Sequence, residues 1–138
     1  KMEHHYVNGQ LNGFHRGWYD DGQLRVEQSY NNGVLDGVYR EWYENGQLRH
    51  EATYKDGKAD ALSRFWHENG QLAFESNRKD DKRNGLTRMW LENGQLELED
   101  NSKDDKLNGL AREWDDDGQL ASEKTYKDGV VIECVVGC

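Results

Sequence analysis

The sequence predicts an all-β fold, an elongated single-layer antiparallel β-meander of tandem hairpins, and three observations carry that reading. Five tryptophans, Trp18, Trp42, Trp66, Trp90 and Trp114, recur at a constant spacing of 24 residues. Each is followed by the same turn, as in Trp18-Tyr-Asp-Asp-Gly-Gln-Leu24 and Trp66-His-Glu-Asn-Gly-Gln-Leu72. A fixed period of this length marks a repeat array, whose units bury little surface alone and stack on their neighbours. Finally, Gly22, Gly46, Gly70, Gly94 and Gly118 punctuate every unit. A glycine so placed breaks any helix of useful length, while the unit has room for two strands and two turns.

The elements follow in chain order. Tyr6-Val-Asn-Gly9 matches Tyr30-Asn-Asn-Gly33 and Tyr54-Lys-Asp-Gly57, so residues 1–13 read as a partial repeat. That opening reads as a fragment of a longer protein. Five units centred on the tryptophans come next, then Val130-Val-Ile-Glu-Cys-Val-Val136, a capping strand within residues 130–138. The whole of 1–138 is expected to form one repeat domain. Between units a second turn reads Asn31-Asn-Gly33, Lys55-Asp-Gly57 and Lys127-Asp-Gly129, and changes to Lys79-Asp-Asp81 and Lys103-Asp-Asp105 in the third and fourth units. Two further departures are Ala61, where other units hold Gly13, Gly37, Gly85 or Gly109, and Arg78 and Ser102, which replace a recurrent tyrosine. Joined hairpins of this kind give roughly ten strands and a ribbon ~45–50 Å long at ~4.8 Å per strand.

Two geometries compete for the turn after each tryptophan. A two-residue type I′ turn at Asn69-Gly70 puts Arg64 directly across from Glu75 and repeats that ion pair in all five units, as in Arg40/Glu51. A type I turn closed by a left-handed glycine bulge slips the register by one, which collects Leu62, Trp66, Leu72 and Phe74 on one face. The bulge is the preferred reading, because register is set most firmly by burying an apolar face and exposed ion pairs contribute only ~0–1 kcal/mol each. It puts Val26, Phe74 and Leu98 on the tryptophan face, with Arg16, Arg40, Arg64, Arg88 and Arg112 between and stacked on tryptophan rings. It separates Arg64 and Glu75 onto opposite faces.

Composition narrows the function. The net charge of −9 with 33% charged residues and a mean hydropathy of −1.15 disfavours nucleic acid and anionic lipid, which bind by pairing phosphates with Lys and Arg. No apolar run is long enough to span a bilayer. The expected partner is a basic protein, with no nucleic acid and no membrane. Cys134 and Cys138 lie ~13 Å apart in an extended strand, beyond disulfide reach without a turn at Gly137, so free thiols and a cytoplasmic location are expected, with a periplasmic or exported one as the alternative. The apolar terminal strand predicts edge-to-edge self-association.

No catalytic group is expected, and neither a cofactor nor a metal. Asp80-Asp-Lys-Arg-Asn-Gly85 begins like a calcium loop, but Lys82 stands where a carboxylate ligand belongs and Leu91 where the closing Glu belongs. The five histidines share no repeat position and no metal-site spacing. A binding site is instead expected where repeats differ, since repetition marks what the fold needs. Tyr39, Tyr43, Phe65, Met89 and Leu91 are apolar residues in the middle of the array, at positions that vary between units, and are the candidate partner anchors, with Glu51 and Glu75 as the charges that steer association.

The motifs Trp66-His-Glu-Asn-Gly-Gln-Leu72 and Tyr54-Lys-Asp-Gly-Lys58, with the trailing Glu75, resemble the MORN-repeat variant of bacterial proteins of the YwqK antitoxin type, over residues 6–129. The resemblance implies an elongated all-β meander and a non-enzymatic protein that binds and occludes a toxin as an antitoxin or immunity partner. It leaves a structural scaffold or membrane-associated module as the alternative.

Overall fold

A computed structural model describes all residues, Lys1–Cys138. The chain holds no helix and fifteen strands: β1 (Met2–Glu3), β2 (Tyr6–Val7), β3 (Gln10–Leu11), β4 (Gly13–Trp18), β5 (Leu24–Asn31), β6 (Val34–Trp42), β7 (Leu48–Lys55), β8 (Lys58–Ala59), β9 (Ala61–Trp66), β10 (Leu72–Lys79), β11 (Lys82–Trp90), β12 (Leu96–Lys103), β13 (Lys106–Trp114), β14 (Leu120–Lys127) and β15 (Val130–Val136). They form one 13-stranded antiparallel sheet in sequence order, with β8 paired to β7 and β2–β3 a separate small hairpin. From β4 onward each hairpin of the main sheet closes over a short connection, so the expected meander is what the chain forms.

The two turns of each unit use different chemistry. Between units, Asn32 (φ 49) and Gly33 (φ 80) form a two-residue turn with both residues left-handed, the geometry that follows the natural twist of the flanking strands. Asp80 and Asp81 hold the same conformation without glycine, at φ 50 and 67. The carboxylate of Asp81 accepts the Ala59 amide at 2.6 Å, so the aspartate ties its turn to the preceding one. After each tryptophan the turn is longer: the Gly70 amide donates to the His67 carbonyl at 2.9 Å, the His67 amide donates to the Gln71 carbonyl at 2.8 Å, and Gly70 sits at φ 85. This is the type I turn with a glycine bulge that the sequence favoured.

The expected consequence of that bulge does not follow, and the register corrects it. Trp66 lies opposite Leu72, but Phe65 lies opposite Phe74, which leaves Ala73 as an extra residue. The same second offset recurs at Arg25, Arg49, Glu97 and Ala121. One bulge cancels the other within two residues. Arg64 therefore faces Glu75 across the hairpin, and Phe74, like Val26 and Leu98, moves to the face away from the tryptophans. The turn is thus the glycine bulge that the sequence favoured, while the register beyond it is the one expected of the type I′ alternative.

The tryptophan face carries the resulting charge ladder. Nε of Arg16, Arg40, Arg88 and Arg112 lies 2.7–2.8 Å from the carboxylate of Glu27, Glu51, Glu99 and Glu123, and Arg64 reaches Glu75 at 3.4 Å. Second contacts, such as Arg88 to Glu75 at 3.5 Å, link one pair to the next. Of these five arginines only Arg16 lies over an aromatic ring, that of Phe14 at 4.9 Å, so they are held by carboxylates rather than stacked on tryptophan.

The opposite face is the buried one. All eight buried residues, Gly17, Val26, Ala52, Ser63, Ser76, Thr87, Asp100 and Ser102, lie on it. In a single layer a side chain can be covered only by neighbours on its own face, so the ribbon curls toward this side. Small residues form the floor, with Ser76 fully buried. Larger ones flank them, Phe74 two residues before Ser76 and Arg78 two residues after it. The doubled bulges supply the coiling, because an extra residue on one strand bends and twists it.

Ties along both edges hold unit to unit. Tyr19 and Tyr43 donate their hydroxyls to the carbonyls of Trp42 and Trp66, at 2.6 and 2.7 Å, and His67 Nε2 meets the Trp90 carbonyl at 2.9 Å. Asn45 and Asn69 each accept an amide within their own turn and donate to the next, to Glu68 and Glu92. On the other edge the Gly57 amide donates to the Leu35 carbonyl at 2.8 Å and the Asp105 amide to that of Arg83 at 3.1 Å. At the C-terminal end Gly137 turns the chain at φ 72, and Cys134 and Cys138 are joined by a disulfide with Cα atoms 5.9 Å apart. The free thiols expected from an extended strand are thus replaced by a bridge, because the chain reverses where the strand ends.

Candidate functional site

The curled face carries one row of side chains that stands out. Following the pairing from strand to strand, Glu41 faces His50, His50 faces Phe65, and Phe65 faces Phe74; Phe74 then faces Met89, Met89 faces Leu98, and Leu98 faces Glu113. Five apolar or aromatic residues line up across five strands with a glutamate at each end. The His50 ring stacks on Phe65 with centroids 3.8 Å apart and planes 9° apart, and Phe65 meets Phe74 edge-on at 6.0 Å. Phe65 and Met89 remain 38% and 39% exposed, the only large apolar side chains from β7 to β13 that are this open. Beside Glu113 an open hollow of about 190 Å³ is lined by Met89, Glu97, Leu98 and Trp114.

Electrostatics around the row are uneven. Tyr39 closes the Glu41 end by donating its hydroxyl to the Glu41 carboxylate. Burial and that hydrogen bond push the phenol well above its ordinary value, so it stays a neutral donor. Burial also lowers the His50 basicity, against a smaller upward pull from Glu41 and further lowering by Arg49 and Arg78. His50 therefore favours its neutral form, consistent with its flat stack on Phe65 and its contact to Ser63 Oγ at 3.2 Å. Asp100 on the floor is raised by burial, only partly offset by Arg83 at 3.9 Å and by Ser102. The turns that follow the tryptophans, next to the row, are acidic throughout, with Glu44, Glu68, Glu92 and Asp116 at one recurring position.

The residues selected from the sequence separate into three places. Tyr39, Phe65 and Met89 share the curled face, with Phe65 and Met89 in the row itself. Tyr43 and Leu91 do not join them. They lie outside the strands at the first residue of a turn, where their amides donate to Gln47 and Gln95. The Tyr43 hydroxyl is engaged by the next unit. Glu51 and Glu75 belong to the arginine ladder on the tryptophan face. Sequence reasoning missed His50, Phe74 and Leu98, because their place in the row depends on the second bulge. It also missed Glu41 and Glu113, although the signal was present: residues 41, 65, 89 and 113 occupy one repeat position and read Glu, Phe, Met, Glu.

No three of His, Cys, Asp and Glu gather closely enough to hold a metal ion. What the arrangement offers is a surface with apolar anchors, acidic ends and an acidic margin. No curated protein matches the chain. The MORN repeat variant family matches five consecutive stretches, residues 11–32, 35–56, 59–80, 83–104 and 107–128. Each stretch holds one tryptophan turn and ends in a between-unit turn, so the family unit and the structural unit coincide. Repeats of this kind serve as binding modules for proteins or membranes and are generally not catalytic. With most of its length matched in five tandem units, this chain belongs to the MORN repeat variant family.

Proposed function

We propose that this chain is a non-enzymatic protein-binding module whose partner is a basic protein domain, and that it acts as an antitoxin or immunity protein by occluding that domain. The observation that carries the reading is the row from Glu41 to Glu113, with half-exposed Phe65 and Met89 at its centre. Protein interfaces draw most of their affinity from a few apolar or aromatic anchors set within a polar rim. Here the anchors occur only in the central units, where the repeat pattern departs from itself. The net charge of −9 supports a basic partner, because complementary potentials steer encounter and disfavour wrong partners. The Cys134–Cys138 bridge favours an oxidising compartment, so we place the chain in the periplasm or outside the cell rather than in the cytoplasm.

A membrane-associated scaffold is the second reading, and one observation favours it. Lysines flank the between-unit turns in facing pairs, Lys55 with Lys58, Lys79 with Lys82 and Lys103 with Lys106. Each of these turns also carries aspartate, Asp80 and Asp81 among them, which offsets the attraction to anionic headgroups. The test is to co-express the chain with the protein encoded beside its gene, score growth, and measure affinity for that protein by calorimetry at low and moderate salt. The expected result is rescue of growth, binding that weakens as salt rises, and a loss of more than about 1 kcal/mol for each of Phe65→Ala and Met89→Ala. Rescue undiminished by both substitutions together contradicts the site.

A further inference from the structure

The partner's shape is legible in the row as well as its charge. We infer that the segment docking on the curled face is a basic amphipathic helix laid across the strands, presenting a basic residue, two apolar residues and a second basic residue at successive seventh positions. This rests on the protein-binding reading above and specifies its occupant.

The backbone of the central sheet leaves an extended segment nothing to pair with. Strands β6, β7 and β9 to β13, which carry the row, each have a neighbour on both sides, and their backbone pairing is taken up in the sheet's own ladder. A segment seated on the face rather than at an edge must satisfy its own backbone, and among regular structures a helix does so. An added strand, the other common way for a sheet to bind peptide, requires a free edge.

Spacing agrees with a helix. Glu41, Phe65, Met89 and Glu113 lie on β6, β9, β11 and β13, each two strands from the next in the sheet. At ~4.8 Å per strand, successive members are ~9.6 Å apart. Seven residues of helix advance ~10.5 Å and return to nearly the same face, so the two periods differ by about a tenth. An extended chain crossing the strands repeats its side chains every ~6.6 Å and loses step after the first contact.

Charge fixes the order of residue types. The repeat position reads Glu, Phe, Met, Glu, and its complement is basic, apolar, apolar, basic. Glu44, Glu68, Glu92 and Asp116 recur three residues further along each unit, so one flank of the helix runs beside a line of carboxylates. A basic stripe next to the apolar one is therefore favoured along the whole length. Phe74 and Leu98 lie between the anchors and supply the apolar floor of the contact.

The test uses two synthetic alanine- and glutamine-based helices of about 24 residues that differ only in order. One carries lysine, leucine, leucine and lysine at successive seventh positions; its isomer has both leucines moved two residues along, to the opposite side of the helix. Binding to the full chain is read by fluorescence anisotropy, and circular dichroism checks that each variant keeps its strands. The ordered helix is expected to bind at least roughly tenfold more tightly than its isomer. The double variant Glu41→Lys with Glu113→Lys should weaken it by at least roughly tenfold, with recovery when the helix carries glutamate in place of lysine. Equal affinity for the two isomers, no binding of either, or indifference to the charge reversal overturns the helical occupant. If that happens while Phe65→Ala and Met89→Ala still weaken binding of the natural basic domain, the occupant is wrong and the protein-binding reading stands.

Discussion

At the scale of single residues, the departures from the repeat are the informative positions. Ala61 stands where four other units hold glycine, and it is forced to φ 70. A side chain there is strained by its own carbonyl, so Ala61→Gly should stabilise the ribbon by about 1 kcal/mol in urea unfolding; a loss of stability contradicts the left-handed assignment. Tyr43 illustrates a residue whose role the sequence could not separate. As an aromatic in the middle of the array it looked like a partner anchor, yet its hydroxyl ties one unit to the Trp66 carbonyl of the next, as that of Tyr19 does one unit earlier. Tyr43→Phe should therefore cost about 1 kcal/mol of stability, measured by the same unfolding, and an unchanged midpoint argues against the tie. Gly70 was read correctly from sequence as a left-handed bulge residue. What the sequence hid is the neighbour above it: a Cβ at Gly70 would run into the side-chain amide of Gln47 in the preceding unit. The recurrent glutamine after each glycine thus packs over the next turn, which accounts for a residue the sequence left without a role.

At the scale of elements, the hairpin was legible and its register was not. Turn chemistry is local, so the Asn-Gly or Asp-Gly pair after each tryptophan identified the bulge. The second bulge at Ala73 has no residue signature, because Arg25, Arg49, Ala73, Glu97 and Ala121 share neither size nor charge. Its cause is collective: the extra residue lets Arg64 and its counterparts meet carboxylates while the tryptophans still face leucines. The ladder can be tested by a double-mutant cycle. Arg88 lies 2.8 Å from Glu99 and also contacts Glu75, and its basicity is raised first by the Glu99 hydrogen bond. A coupling of about 0.5 kcal/mol or more between Arg88 and Glu99 is expected, and one near zero restores the single-bulge register. The curled face gives a second test through pH. His50 has its native basicity lowered by burial, so the unfolded chain binds the proton more readily. Stability is then fully present above the unfolded value of about 6.5 and falls as pH drops below it. His15 is shifted the same way, by burial and by His4, so the check is comparative: His50→Gln should flatten part of the decline below about pH 6.5, and an identical slope contradicts the burial of His50.

At the scale of the whole molecule, the ribbon has two faces with different work. The tryptophan face repeats and carries the ion-pair ladder, while the curled face covers its small floor with larger side chains and lets its flanking row vary from unit to unit. Three of the seven residues selected as a binding site share the curled face, and the others belong to turns or to the ladder. Faces are decided by register, and a one-residue offset exchanges them. The central claim is that the partner meets the curled face, and neighbouring strand positions allow a direct measurement, since adjacent residues point to opposite sides of the sheet. A photoreactive side chain placed at position 65 or 89 samples the curled face, and one placed at position 62 or 86 samples the tryptophan face. With the proposed basic partner bound, the account predicts cross-linked adducts from positions 65 and 89 and none from 62 and 86. Adducts from positions 62 and 86, with none from 65 and 89, would contradict it.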